Sequence, residues 1–120
     1  MMKVTVEVVE NVILRCFTGD VGYQDILNSW NDILTRFDDL TAYNGIISDF
    51  LKADIHHEDN NLNELVDFLK NHLDKIGGMK LAIVMDTPHV TRTIMMDQKM
   101  KSLHIRPFST RQTAFDWING

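Results

Sequence analysis

Lys80-Leu81-Ala82-Ile83-Val84-Met85-Asp86-Thr87-Pro88 is the stretch that decides the architecture of this chain. Leu81 to Met85 is an apolar run of strand length, and Asp86-Thr87-Pro88 supplies the chemistry that starts a helix, with Pro88 at a favoured first position. That helix is expected to run to about Ser102, with Val90, Ile94, Met95, Met96, Met100 and Leu103 as its apolar members. A second short strand, His104-Ile105-Arg106-Pro107-Phe108, follows it. Ser109-Thr110-Arg111-Gln112 then reads as a capping box opening a last helix that carries Ala114, Phe115, Trp117 and Ile118.

Upstream, Lys3 to Val9 and Val12 to Phe17 are rich in β-branched residues, and Glu10-Asn11 between them reads as the two-residue turn of an antiparallel hairpin. Side chains alternate across a strand, so Val12, Leu14 and Cys16 share one face while Ile13, Arg15 and Phe17 share the other. Cys16 is read as a core filler. Thr18-Gly19-Asp20-Val21-Gly22 is expected to break the second strand, with Asp25 as a first-turn carboxylate of the helix beyond. Ile26, Leu27, Trp30, Ile33, Leu34 and Phe37 form that helix's apolar stripe. Gly45 to Phe50 reads as a third, buried strand after a Tyr43-Asn44-Gly45 turn, and Leu51 to Asn61 as polar and irregular. A second helix from about Leu62 places Leu62, Leu65, Val66, Leu69 and Leu73 on one side and stops at Gly77-Gly78.

Strands alternating with helices over short connections require right-handed crossovers, and so an α/β fold. The expectation is a mixed, mainly parallel five-stranded sheet with an N-terminal antiparallel hairpin and four helices, in a single domain spanning residues 1–120. In such a sheet the carboxyl ends of the parallel strands share one rim where ligands and partners gather. Here that rim would comprise Thr18-Gly19-Asp20, Asp49-Phe50-Leu51-Lys52, Asp86-Thr87-Pro88 and Ser109-Thr110-Arg111.

Composition narrows the functional classes. The chain has 120 residues and a formal charge of -5, with its 12 basic residues spread thinly, so no footprint for a nucleic-acid backbone is expected. Alternating Val4, Val6 and Val8 near the start do not resemble the continuous apolar core of a signal peptide, and no run reaches membrane-spanning length. The one cysteine suits a reducing compartment. A cytoplasmic protein is the expectation.

The chain resembles the SpoIIAA-like superfamily, which includes the STAS domains of anti-sigma-factor antagonists and sulfate transporters. The residues carrying the resemblance are the N-terminal hairpin, Asp49-Phe50 closing the third strand, Lys80-Leu81-Ala82-Ile83-Val84 after Gly77-Gly78, and Phe108-Ser109-Thr110 with Ala114 and Trp117-Ile118. The closing pattern is similar to that of small single-domain bacterial members. The resemblance implies a SpoIIAA-like fold and a non-enzymatic regulatory or protein-interaction module, a homodimer being one form of that interaction. It also implies a Ser or Thr near the start of the helix after the third strand, phosphorylated by a partner kinase. This sequence departs from that pattern, because between Asp49 and Leu65 it has no hydroxyl residue at all.

Other chemistries fit less well. His56-His57-Glu58-Asp59 gathers two imidazoles and two carboxylates, but adjacent side chains diverge, and a solvated loop favouring the next helix N-terminus is the plainer reading, so no metal is assigned. His72, His89 and His104 lie on different elements. Asp49, Thr87 and Arg106-Pro107-Phe108 imitate a receiver domain, yet nothing at the end of the first strand supplies the acids that would hold its magnesium, and arginine is no equivalent of the lysine. Gly19-Asp20-Val21-Gly22 is too poor in glycine for a phosphate loop, and no cofactor motif is present.

Lys52, Arg92 and Arg111 form a candidate anion-binding set on the rim, against the plainer reading of ordinary surface charges. The candidate rim for a ligand or partner is therefore Asp20, Asp49, Lys52, Asp86, Thr87, Arg92, Ser109, Thr110 and Arg111. Met95, Met96 and Trp117 make a candidate interaction surface, although core packing is the plainer role for Met96 and Met100. A carrier or sensor of a small apolar or anionic ligand, held at the rim or under the third helix, is the alternative to the interaction module.

Overall fold

The computed structural model describes residues 2–55, 62–86 and 103–120. Five strands, β1 (Lys3–Val9), β2 (Val12–Val21), β3 (Gly45–Ile55), β4 (Lys80–Val84) and β5 (His104–Phe108), lie side by side in that order. Only β1 runs antiparallel to its neighbour, and the pairs β2–β3, β3–β4 and β4–β5 are parallel. The helices among the described residues are α1 (Tyr23–Arg36), α2 (Leu62–Asn71), α3 (Leu73–Ile76) and α4 (Arg111–Asn119). The mixed, mainly parallel α/β architecture expected from the sequence is the one observed. The helix expected over 88–102 lies outside the described residues, and with it Thr87, Arg92, Met95, Met96 and Met100, as does the His56-His57-Glu58-Asp59 cluster.

The hairpin turn has both central residues at positive φ, 52° for Glu10 and 62° for Asn11, which is the type I′ geometry that matches strand twist. Alternation along β2 then divides the core. Ile13, Phe17 and Val21 face α1 and α2, where Ile26, Trp30, Ile33, Leu65 and Leu69 are buried against them. Val12 and Leu14 face the other way, with Ile47, Ala82 and Val84, onto Ala114 and Ile118 of α4. Gly45 allows that second layer to close, since a Cβ there would sit 2.5 Å from the Lys80 carbonyl oxygen and 3.0 Å from Ile118.

Four local expectations are corrected. β2 does not break at Thr18 but continues to Val21, with Gly19 taking the left-handed conformation (φ 81°) that its lack of a Cβ permits. β3 continues through Leu51 to Ile55, because Thr18–Val21 pairs with Lys52–Ile55 beyond the point where β4 ends. The second helix is interrupted at His72, whose N–H donates to the Leu69 carbonyl in a tighter turn. The last helix is capped by Thr110 and not by the expected Ser109/Gln112 box: the Thr110 hydroxyl accepts the Thr113 N–H at 3.2 Å, and Gln112 donates instead to Asp116.

At α1, by contrast, Asp25 does what its position suggests, its carboxylate accepting the Gly22 N–H at 2.9 Å.

Candidate functional site at the carboxyl rim

Where β2 and β3 outrun the rest of the sheet, their register slips. Cys16 pairs with Asp49 and Thr18 with Lys52, so Phe17 faces two residues, Phe50 and Leu51. This bulge frees the Leu51 N–H from the ladder. Asp49 takes it up, its Oδ1 accepting from Leu51 N at 2.9 Å, while Phe50 stays in the core and stacks on Phe17 at 4.6 Å between centroids. Leu51 itself is turned out and is 49% exposed.

The second carboxylate oxygen of Asp49 accepts from Arg111. The guanidinium, carried on the first residue of α4, donates through Nε to Oδ2 at 2.5 Å and through Nη2 to Cys16 Sγ at 2.9 Å. One arginine therefore ties the last helix to the two central strands. Asp49 is almost wholly buried, whereas the Arg111 side chain is 46% exposed, so the cluster turns a cation outward and hides its counter-charge.

Electrostatics follow from this placement. The hydrogen bond that Arg111 donates to Asp49 holds the Arg111 pKa above its ordinary value. Partial burial raises the Cys16 thiol pKa; the Arg111 charge and a hydrogen bond with Thr5 oppose that, and the Asp49 and Glu7 charges add to it. A thiol with a raised pKa is a poor nucleophile at neutral pH. The cluster is accordingly built to present a fixed guanidinium, not to activate sulfur.

Of the residues singled out in the sequence, the structure brings together Asp49 and Arg111. Thr110 serves as helix cap beside them. Ser109 and Asp86 are exposed near the ends of β5 and β4. Asp20 and Lys52 are exposed on the β2–β3 extension beyond the rim, where Asp20 pairs in register with Asp54. Trp117 is half-buried against Phe108, with the Lys80 ammonium 5.6 Å and the Arg106 guanidinium 5.2 Å from its ring, and Lys80 Nζ donates to its carbonyl at 2.9 Å. Among the described residues no group of three or more His, Cys, Asp or Glu side chains converges as a metal site would need.

The sequence reading missed two partners. Cys16, expected inside the core, lies at its margin under Arg111; its register opposite Asp49 was the signal, and register depends on the bulge. Arg15, on the opposite face, is 2% exposed and makes hydrogen bonds through Nε to Ser48 Oγ (2.8 Å) and through Nη1 to Ser29 Oγ (3.1 Å). Its guanidinium carbon lies 4.4 Å from the centroid of the Trp30 ring, and burial pushes its pKa down to about 9. Ser29 and Ser48, polar residues at core positions beside Trp30 and Ile47, were the available signal.

The architecture is the SpoIIAA-like fold. An uncharacterised protein with a SpoIIAA-like fold from Shewanella loihica superposes with a TM-score of 0.62 at 14% identity, covering 98% of this chain and 93% of that one. An anti-sigma factor antagonist from Mycobacterium paratuberculosis gives 0.64 at 12% identity over 100% and 96% of the two chains. The Bacillus cell fate determinant SpoIIAA in its phosphorylated form gives 0.59 at 14% identity over 98% and 99%. No protein-family model matches the sequence, and no curated protein matches it.

Proposed function

We propose that residues 1–120 act as one non-enzymatic regulatory module that binds a protein partner through the carboxyl rim, with Arg111 as its fixed cationic anchor. The observation that carries this reading is the Cys16–Asp49–Arg111 cluster: a guanidinium whose position is set by two strands while nearly half of its surface faces solvent. A pre-set arginine loses little freedom when it meets a carboxylate, and arginine is enriched where partners bind most strongly. Two of the similar folds are an anti-sigma factor antagonist and SpoIIAA, which supports a regulatory role.

Control by phosphorylation in the segment after β3 has no chemical basis in this chain, since residues 49–65 offer no Ser, Thr or Tyr. Regulation is therefore assigned to the availability of the partner. No helix among the described residues is long and apolar enough to cross a membrane.

Native mass spectrometry of the chain isolated from its own cells, alongside Arg111→Ala, tests the proposal. A stoichiometric protein partner on the wild type that is lost from Arg111→Ala is the expected result. Because Asp49 is buried, Arg111→Ala leaves its carboxylate with the Leu51 N–H alone and should cost about 3 kcal/mol, so urea unfolding of the variant is measured alongside to show that it is folded. A small-molecule mass that leaves on denaturation would move the assignment to the carrier or sensor, and a partner indifferent to Arg111→Ala would remove the rim from the interface.

A further inference from the structure

The two edges of the sheet are unlike. β5 carries His104, Arg106 and Pro107, and a proline and charges are what discourage further strands from adding to an edge. β1 is seven residues long, Lys3-Val4-Thr5-Val6-Glu7-Val8-Val9, without proline or glycine; its two charges, Lys3 and Glu7, are of opposite sign, and the sheet ends with it. Val8 on this edge is 48% exposed.

Hairpin geometry determines which main-chain groups β1 leaves unused. A two-residue type I′ turn makes its flanking pair, here Val9 and Val12, a hydrogen-bonded one, and such pairs recur at every second residue. Glu7, Thr5 and Lys3 thus turn their N–H and C=O groups toward Leu14, Cys16 and Thr18. Val4, Val6 and Val8 turn theirs outward.

We propose that this edge pairs antiparallel with β1 of a second copy of the chain, about a two-fold axis through Thr5. An axis normal to the sheet keeps each face on its own side, so opposite residues share a face. The axis through Thr5 sets Val4 opposite Val6 of the second copy and Met2 opposite its Val8, on the face where Met2, Val4 and Val6 already pack against the core. It also sets Lys3 opposite Glu7 of the second copy, twice by symmetry, on the other face.

Moving the axis to Val6 would leave Lys3 opposite valine and Glu7 opposite threonine. Only the Thr5 axis of these two joins unlike charges. The outward groups of Val4 and Val6 then exchange hydrogen bonds, and Lys3 and Glu7 fall at non-hydrogen-bonded positions, where cross-strand side chains come closest. The product is a ten-stranded sheet whose two carboxyl rims stay open, so this pairing is independent of the rim assignment.

Sedimentation equilibrium across a concentration series decides the matter, on the wild type, Lys3→Glu, Glu7→Lys and the double exchange. Both substitution sites are exposed strand positions, so the fold is retained. Wild type should form a concentration-dependent dimer. Each single exchange turns two attractive pairs repulsive and should weaken it about tenfold or more, and the double exchange should restore it. A wild type that is monomeric at millimolar concentration overturns the proposal, as does a dimer indifferent to the exchanges or one that the double exchange fails to rescue.

Discussion

Arg15 and Cys16 are neighbours in β2, yet they meet opposite solutions to the burial of a polar group. On the α1 side Arg15 is enclosed completely, held by two serine hydroxyls and the face of Trp30, and among the described residues no acid pairs with it. On the α4 side the charge is balanced: Arg111 rests on Asp49 and Cys16 and remains half in solvent. A buried guanidinium bound only by neutral acceptors costs stability, whereas a half-exposed one keeps part of its hydration, offsets the charge of the carboxylate buried beneath it and remains available to a partner. The first arrangement shapes a core; the second shapes a surface.

Breaking the Arg15 side of this contrast has the largest expected effect. Arg15→Ala empties a closed site and leaves Ser29 and Ser48 without their donor, which should cost about 3–5 kcal/mol in urea unfolding. Arg15→Met keeps most of the volume and removes the charge, and should lie within about 1.5 kcal/mol of wild type. The pH dependence has a definite sign. Burial lowers the folded-state pKa to about 9, well below its value in the unfolded chain, so between the two the unfolded chain binds more protons and stability rises with pH. Below about pH 9 the penalty is present in full. Relative to Arg15→Met, wild type should therefore gain stability from pH 8.5 to 10.5, at no more than about 1.4 kcal/mol per pH unit. A difference that shrinks over that range would show that Arg15 is not desolvated.

The Asp49 side is expected to respond less. Asp49→Ala removes the acceptor of both the Leu51 N–H and Arg111, and the bulge loses the group that holds it, for a cost of about 1–3 kcal/mol. Asp49→Asn keeps an oxygen for Leu51 and loses the ion pair, and should cost less than half as much. Equal costs for the two substitutions would mean that the ion pair, and not the bulge, is what Asp49 supports.

The parts of this molecule that were legible in the sequence are those governed by local chemistry. Alternation in β2, the Glu10-Asn11 turn, the stripe on α1, the apolar run at Leu81–Met85 and the Asp25 carboxylate each depend on a few adjacent residues, and each is observed. What was not legible depends on pairing between distant segments. Thr18–Val21 looks like a strand break because Gly19 and Asp20 are poor strand formers, and it becomes strand only because Lys52–Ile55 lies beside it. Asp49 and Arg111 meet at the rim, whereas Asp20 and Lys52 lie on the β2–β3 extension beyond it, for that same reason. Cys16 escaped notice as a member of the cluster because its partner Arg111 is 95 residues away.

The smallest expected effect is on the Cys16 thiol, and it is the one that resolves the cluster into its charges. Burial raises the thiol pKa, the Arg111 cation lowers it, and the Asp49 and Glu7 anions raise it again. The rate of alkylation by iodoacetamide as a function of pH reports the thiolate and hence that balance. Glu7→Gln removes an anion from an exposed strand position, so its profile should move to lower pH, and Arg111→Gln should move it to higher pH. Arg111→Gln also uncovers the sulfur, which raises the plateau rate and, by relieving burial, pulls the midpoint down, so the direction in which the midpoint moves shows whether the lost charge outweighs the added exposure. If both substitutions moved the midpoint the same way, exposure and not charge would govern the thiol. The contrast between a charge buried for packing and a charge held for contact would then fail on the α4 side, where the proposed partner site depends on it.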